Sequence, residues 1–222
     1  MGKAGADHRW VAGVMLLVVC SIWAGQAKSF EVAFPDTNLD RIVRTTIGKP
    51  SGPIQDTDLV GVGFTALNAA YQGIVDLTGL EYCKDLAQLQ LYGNSIVDLT
   101  PLASLTMLMD LYLWDNQIAD ISALAGLPRL RFVFLQNNRI TNIDALQANP
   151  GLGQGDVVNL TGNVLDQNGL CNVIPDLRSR QTTVYYSGQC GRVVVTIPDP
   201  NLRTQLTFAV DKQPGDALYD TD

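Results

Sequence analysis

The chain has 222 residues, of which 46% are apolar and 17% are charged, and its formal net charge is −7. This composition provides enough apolar surface for a sizeable core and excludes both a disordered chain and a collagen-like one. Because nucleic-acid binding requires a basic face, the acidic balance also argues against that class of partner. The single histidine, His8, lies in the amino-terminal leader, so the rest of the chain lacks histidine for catalysis or metal binding.

Residues 1–27 have the pattern of a secretory signal peptide. A basic start precedes a 14-residue, mostly apolar run over residues 10–23, and Gly25-Gln26-Ala27 supplies the small residues of a cleavage site. An uncleaved membrane anchor is the alternative, although the apolar run is shorter than the roughly 20 residues that a span requires. We therefore predict a secreted or cell-surface protein whose mature form has no membrane span.

An amphipathic helix is predicted over residues 34–48. Its start carries the capping side chains of Asp36-Thr37-Asn38, and Gly48 suits its end. Four apolar residues fall on one face of this helix: Leu39, Ile42, Val43 and Ile47.

A 22-residue period dominates residues 64–165. In seven columns with this spacing, 28 of 29 positions are apolar, where the composition alone would give about 13. Within each unit the pattern L-x-L alternates with period two, which predicts a short strand with one buried face. One such column contains Leu67, Leu89, Leu111 and Val133.

Asparagine follows the strand in every unit except the first, which has Gln72, and the chain has to turn at this position. Its amide can pair with backbone groups that the turn leaves without partners. After an insertion at Pro150 to Gly155 the pattern resumes with a spacing of 25 residues. We predict a structural ladder formed by Asn94, Asn116, Asn138 and Asn163.

The repeated unit L-x-x-L-x-L-x-x-N-x-I-x-D-L resembles the 22-residue leucine-rich repeats of bacterial internalin-like surface proteins, over about residues 31–190. The resemblance implies an α/β solenoid, a leucine-rich repeat horseshoe with a parallel sheet on its concave face and irregular or 3₁₀ turns on its convex face. About five repeats would occupy residues 64–165. A helical amino-terminal cap would cover residues 28–63, and a carboxy-terminal cap residues 166–193.

The predicted carboxy-terminal cap combines helical spacing with a closing strand. Thr182 to Tyr186 has the strand pattern, and Pro175 is expected to interrupt the helix. The helical residues are Leu170, Val173, Ile174 and Leu177. Cys171 and Cys190 lie outside the repeats and are predicted to form a disulfide. Cys83 occupies a leucine column, so we predict that it is a buried structural residue.

Residues 194–222 repeat the start of the chain. Ile197-Pro198-Asp199 matches Phe34-Pro35-Asp36, at an offset of 163 residues. We therefore expect this tail to be the start of a second, truncated solenoid unit.

Aromatic side chains converge on the outward face of the predicted sheet. Because adjacent strands lie about 4.8 Å apart, these residues would form one apolar patch, with Asp110 and Asp115 at its edge. The predicted binding residues are Tyr92, Asp110, Tyr112, Trp114, Phe132 and Phe134. Stabilisation of the strands by cross-strand aromatic pairs, without any ligand, is the alternative interpretation.

These features predict a non-enzymatic, exported protein-binding module. Its partner would be an unidentified extracellular protein, with a carbohydrate as the alternative ligand. A structural spacer in a tandem array is a second interpretation, supported by the duplicated start. A carboxylate-based hydrolase is a third, but Asp110 and Asp115 are the only acids on the concave columns. We predict no catalytic residue, no metal site and no cofactor.

Overall fold

The structure is a computed structural model that describes residues 29–61 and 63–191. The predicted signal peptide and the predicted second solenoid unit lie outside the described residues. Among the described residues, no helix has both the length and the apolar character that a membrane crossing requires.

A small hairpin and a helix precede the repeats. Strand β1 (Glu31–Val32) pairs antiparallel with β2 (Ile54–Gln55), and helix α1 (Thr37–Ile47) lies between them in the chain. The helix begins three residues later than predicted. It ends at Gly48, whose φ of 68° is left-handed and therefore favours glycine.

The carboxylate of Asp36 joins α1 to the first repeat. Its Oδ1 accepts hydrogen bonds from the backbone N–H groups of Asn38 (2.9 Å) and Leu39 (3.1 Å), which caps the helix. Its Oδ2 accepts from the N–H groups of Val75 (2.8 Å) and Asp76 (3.3 Å). Burial alone would raise the pKa of Asp36, but these four donors together hold its pKa below the ordinary value.

Six parallel strands form one sheet in chain order. They are β3 (Ala66–Asn68), β4 (Gln88–Gln90), β5 (Asp110–Tyr112), β6 (Phe132–Phe134), β7 (Val157–Asn159) and β8 (Thr183–Tyr185). The register pairs Leu89 with Leu111 and Leu111 with Val133, as the 22-residue period predicts. The middle residues of these strands are fully buried, and stacking them creates one continuous core.

The opposite side of each repeat is a turn rather than a strand. Three repeats use 3₁₀ turns, at Leu80–Tyr82, Thr100–Leu102 and Ser122–Gly126, and the fourth uses helix α2 (Asp144–Ala148). An aspartate precedes each of these 3₁₀ turns, and its carboxylate accepts from a nearby backbone N–H. For example, Asp120 Oδ1 accepts from the Ser122 N–H at 2.8 Å.

Asn149 is the one polar residue in the seven apolar columns, and it is fully buried. Its amide donates to the carbonyl oxygens of Leu124 (2.6 Å) and Leu127 (3.0 Å). Its Oδ1 accepts from the N–H groups of Gly151 and Leu152 at the predicted insertion. A polar side chain is tolerated in the core here because both ends of its amide are paired.

The carboxy-terminal part continues from a π turn (Gly169–Val173) directly into helix α3 (Ile174–Ser179). The hydrogen-bond pattern changes from π to α at Ile174, one residue before Pro175, whose missing N–H cannot join a helical ladder. The interruption predicted at Pro175 therefore takes the form of a change of helix type within a continuous helical segment. A disulfide joins Cys171 to Cys190, whereas Cys83 is a buried free thiol. Burial, reinforced by the Glu81 carboxylate, raises the pKa of Cys83 to about 12.

Candidate binding face

The side chains that point away from the core form columns across the sheet, and we call this surface the concave face. One column contains Gln90, Tyr112, Phe134 and Asn159, which neighbour one another through the strand register. Residues that follow the strands extend the surface with a second column: Tyr92, Trp114, Gln136 and Thr161. Short parallel strands thus present side chains from different repeats side by side.

Four of the predicted binding residues form one contiguous aromatic array. The Tyr92 and Trp114 rings are stacked, with centroids 3.9 Å apart, and the Tyr112 and Phe134 rings are stacked at 5.3 Å. Edge contacts from Trp114 to Tyr112 (5.8 Å) and to Phe134 (6.3 Å) join the two stacks. Each such pair contributes about 0.5–1.5 kcal/mol beyond the area that it buries.

Phe132 and Asp110 lie at the margin of this array. The Phe132 ring contacts the guanidinium of Arg131 at 5.7 Å, and Arg131 also pairs with the buried Asp156 carboxylate at 3.5 Å. Asp110 lies beside Gln88, whose Nε2 is 3.5 Å from its Oδ2. The predicted residues therefore separate into a central aromatic cluster and an edge.

Tyr71 is a member of the array that the sequence analysis missed. Its ring contacts Tyr92 edge-on at 5.2 Å. It also lies over Gly93, because a Cβ on that glycine would come within 2.2 Å of the Tyr71 ring. Tyr71 could have been identified from its position in the repeat. The residues at the equivalent positions all have a left-handed backbone, and they are Tyr71, Gly93, Asp115, Asn137 and Gly162.

The asparagine ladder lies beneath the carboxyl ends of the strands. The Asn116 amide donates to the carbonyl oxygens of Leu91 and Leu113, both at 3.0 Å, and its Oδ1 accepts from the Ile96 N–H at 3.0 Å. The same arrangement recurs at Asn94, Asn138 and Asn163. Each asparagine thus ties its own repeat to the preceding one.

The two acids considered for a hydrolase lie at opposite ends of the array. Asp110 is in strand β5, beside Gln88, and Asp115 follows the strand by three residues. The carboxylate of Asp115 is bonded to the Asn137 amide rather than to a second acid.

Beside Trp114 the aromatic column stops, and the surface opens into a cavity of about 420 Å³. The next two members of that column are Gln136 and Thr161, which are smaller than the aromatic rings. We call this cavity the Trp114 slot, and its lining residues are Tyr112, Trp114, Phe134, Gln136, Asn137 and Thr161. The buried Oε1 of Gln136 has no hydrogen-bond partner among the described residues.

Sequence comparison agrees with this architecture. A family model for leucine-rich repeats in two copies matches residues 110–148, which include strands β5 and β6 and helix α2. No curated protein is significantly similar to the chain in sequence. The repeat pattern, the parallel sheet and the family match define a leucine-rich repeat protein.

Two solved structures from Listeria monocytogenes share the fold. An internalin, InlF, matches with a TM-score of 0.53 and 22% identity, and the alignment covers 77% of this chain and 61% of that one. The functional domain of InlJ matches with a TM-score of 0.53 and 26% identity, over 60% of this chain and 28% of that one. The chain therefore spans about three fifths of the first structure and just over a quarter of the second. The chain therefore has the leucine-rich repeat fold of these internalins, and the predicted resemblance to internalin-like proteins is confirmed.

Proposed function

We propose that this chain is an exported, non-enzymatic module that binds a protein partner through the aromatic array of its concave face. The observation that carries the proposal is the contiguity of five aromatic side chains: Tyr71, Tyr92, Tyr112, Trp114 and Phe134. Aromatic residues dominate the binding energy of protein interfaces, and contiguous apolar patches mark interaction sites.

The array is held rigidly before any partner arrives. Its rings contact one another across four repeats, and the strands rest on a continuous core and on the asparagine ladder. Binding to such a surface costs less ordering entropy than binding to a flexible loop. Rigid presentation of the aromatic side chains is therefore the mechanism that we infer.

The segments that flank the repeats support the proposed domain boundaries. Leu39 and Val43 of α1 are completely buried, so this helix covers the first repeat, as an amino-terminal cap would. Ile174 and Leu177 of α3 are equally buried at the other end. The Cys171–Cys190 disulfide supports export, because disulfides persist in oxidising compartments.

Strand stabilisation without a ligand is the competing explanation of the array. Two of its five ring contacts are stacks of the kind that stabilise neighbouring strands, so Trp114→Ala with Phe134→Ala should cost about 1–3 kcal/mol of folding free energy. A test of binding must therefore use a control variant that loses a comparable aromatic contact elsewhere. Phe30 and Tyr82 provide one, because their rings meet edge-on at 5.1 Å outside the concave face.

Peptides selected from a random displayed library against the native chain test the proposal. We expect their affinity to fall about 100-fold for the Trp114→Ala, Phe134→Ala double variant. The Phe30→Ala, Tyr82→Ala double variant should retain native affinity. Equal losses in both variants would mean that binding follows stability, and undiminished binding to the first variant would place the site elsewhere. Either result refutes the proposal.

A further inference from the structure

The Trp114 slot has a definite chemical character, and this inference rests on the proposed function of the concave face. Tyr92 covers one face of the Trp114 ring at 3.9 Å. The other face points along the column toward Gln136 and borders the slot. A flat group that enters the slot would therefore continue the Tyr92–Trp114 stack as its third member.

The polar atoms around this open ring face are mainly acceptors. Asp115 adjoins the slot through Asn137, a lining residue whose amide donates to one of its carboxylate oxygens at 2.7 Å. Asp115 is exposed and makes no ion pair with the described residues. Gln136 Oε1 has no donor. The Thr161 hydroxyl donates its proton to Asn159 Oδ1 at 2.9 Å, which leaves its oxygen as an acceptor toward the slot.

The charge of the concave face also favours a cationic ligand that donates hydrogen bonds. Along the concave columns of the described residues, the charged side chains are Asp110 and Asp115, and both are acidic. Arg131, at the far edge, is paired with Asp156, and Arg139, two residues after Asn137 in the chain, makes no ion pair with the described residues. An incoming cation would therefore meet a carboxylate beside the slot, that of Asp115, which has no ion-pair partner among the described residues.

We propose that the Trp114 slot accepts an arginine side chain of the protein partner. The guanidinium is flat, it stacks on tryptophan, and all its polar hydrogens are donors. It would stack on Trp114 while donating to the Asp115 carboxylate and to the Thr161 hydroxyl oxygen. A sugar ring could use the same ring face, but it carries no charge to pair with the Asp115 carboxylate.

Titration of the full chain with N-acetylarginine amide, followed through the indole N–H resonance of Trp114, tests this proposal. The chain has three tryptophans, so the resonance is identified by its loss in Trp114→Phe. N-acetylcitrulline amide is the matched probe, because it has the same shape without the charge, and methyl glucoside represents a sugar. We expect a saturable shift with the arginine probe and an affinity about tenfold lower for each of the other two.

Two single substitutions locate the charge that matters. Asp115→Asn keeps the acceptor for Asn137 and suits the left-handed backbone, so it removes only the charge. It should weaken arginine binding about tenfold, whereas Asp110→Asn, which lies outside the lining of the slot, should change it less than about twofold.

Three results would overturn the arginine proposal: no saturable shift with the arginine probe up to about 100 mM, an equal response to citrulline or glucoside, or equal effects of the two substitutions. The proposed function fails differently. If selected peptides lose binding on the Trp114→Ala, Phe134→Ala variant and the arginine probe still gives no shift, the aromatic array is the binding site and the arginine assignment is wrong.

Discussion

Removing one amide from the asparagine ladder should destabilise the solenoid by a predictable amount. Asn138 is 9% exposed, and its Oδ1 is the acceptor for the Ile118 N–H at 3.0 Å. Its amide donates to the carbonyl oxygens of Leu113 and Leu135, also at 3.0 Å. Asn138→Ala deletes all three contacts and leaves the backbone groups inside the coil.

The three backbone groups differ in how many hydrogen-bond partners they keep after the substitution. Leu113 O and Leu135 O each accept from a second asparagine, Asn116 and Asn163, so they keep one partner. The Ile118 N–H is left with none. An orphaned buried donor costs about 1–3 kcal/mol, and the two shared bonds add to this, so we expect a loss of about 2–4 kcal/mol.

Urea unfolding followed by circular dichroism measures this loss as a change in midpoint at constant slope. Asn142→Ala is the matched control, because this exposed residue accepts from the Asp144 N–H at 2.9 Å on the convex side. Its replacement should cost less than about 1 kcal/mol. If the two variants are equally stable, the ladder does not hold the repeats together and the reasoning is wrong.

Three further predictions concern the flanking segments and the thiols. Because the folded pKa of Asp36 is lowered, its stabilising contribution is present above about pH 4 and is lost as the pH falls further, so the unfolding free energy should drop more steeply with acid in the native chain than in Asp36→Asn. The Cys83 thiol, with a pKa of about 12, should resist a thiol reagent at pH 8 in the folded chain and react after unfolding, as mass spectrometry of its peptide would show. Cys171→Ser with Cys190→Ser should lower the unfolding free energy by about 3 kcal/mol, and an unchanged urea midpoint would contradict that estimate.

The repeat spacing predicts most of the fold because each position of the repeat has one physical requirement. Leu89 and Leu111 have to fill the core, and Asn116 has to pair with a turn, so residue type and position determine each other. Even the insertion before β7 is visible as a change of spacing. Asn149 is the informative exception, since its pairing with Leu124 and Leu127 depends on backbone groups in the preceding repeat, which no local pattern specifies.

The binding face could be predicted only as a set of columns. Register places Tyr112 beside Phe134, but whether their rings stack or splay depends on rotamers and on the neighbours that crowd them. Tyr71 was missed because it stands in the left-handed column, where the other repeats have glycine, aspartate or asparagine. The Trp114 slot also could not be foreseen, because it results from a large ring lying next to two smaller side chains.

Mapping a selected peptide onto the chain by NMR tests the binding assignment most directly. Chemical-shift changes should centre on Tyr92, Tyr112, Trp114 and Phe134, and the convex turns at Thr100–Leu102 and Ser122–Gly126 should be unaffected. Changes centred on those turns or on helix α1, with the aromatic signals unmoved, would contradict the assignment of the concave face as the binding surface.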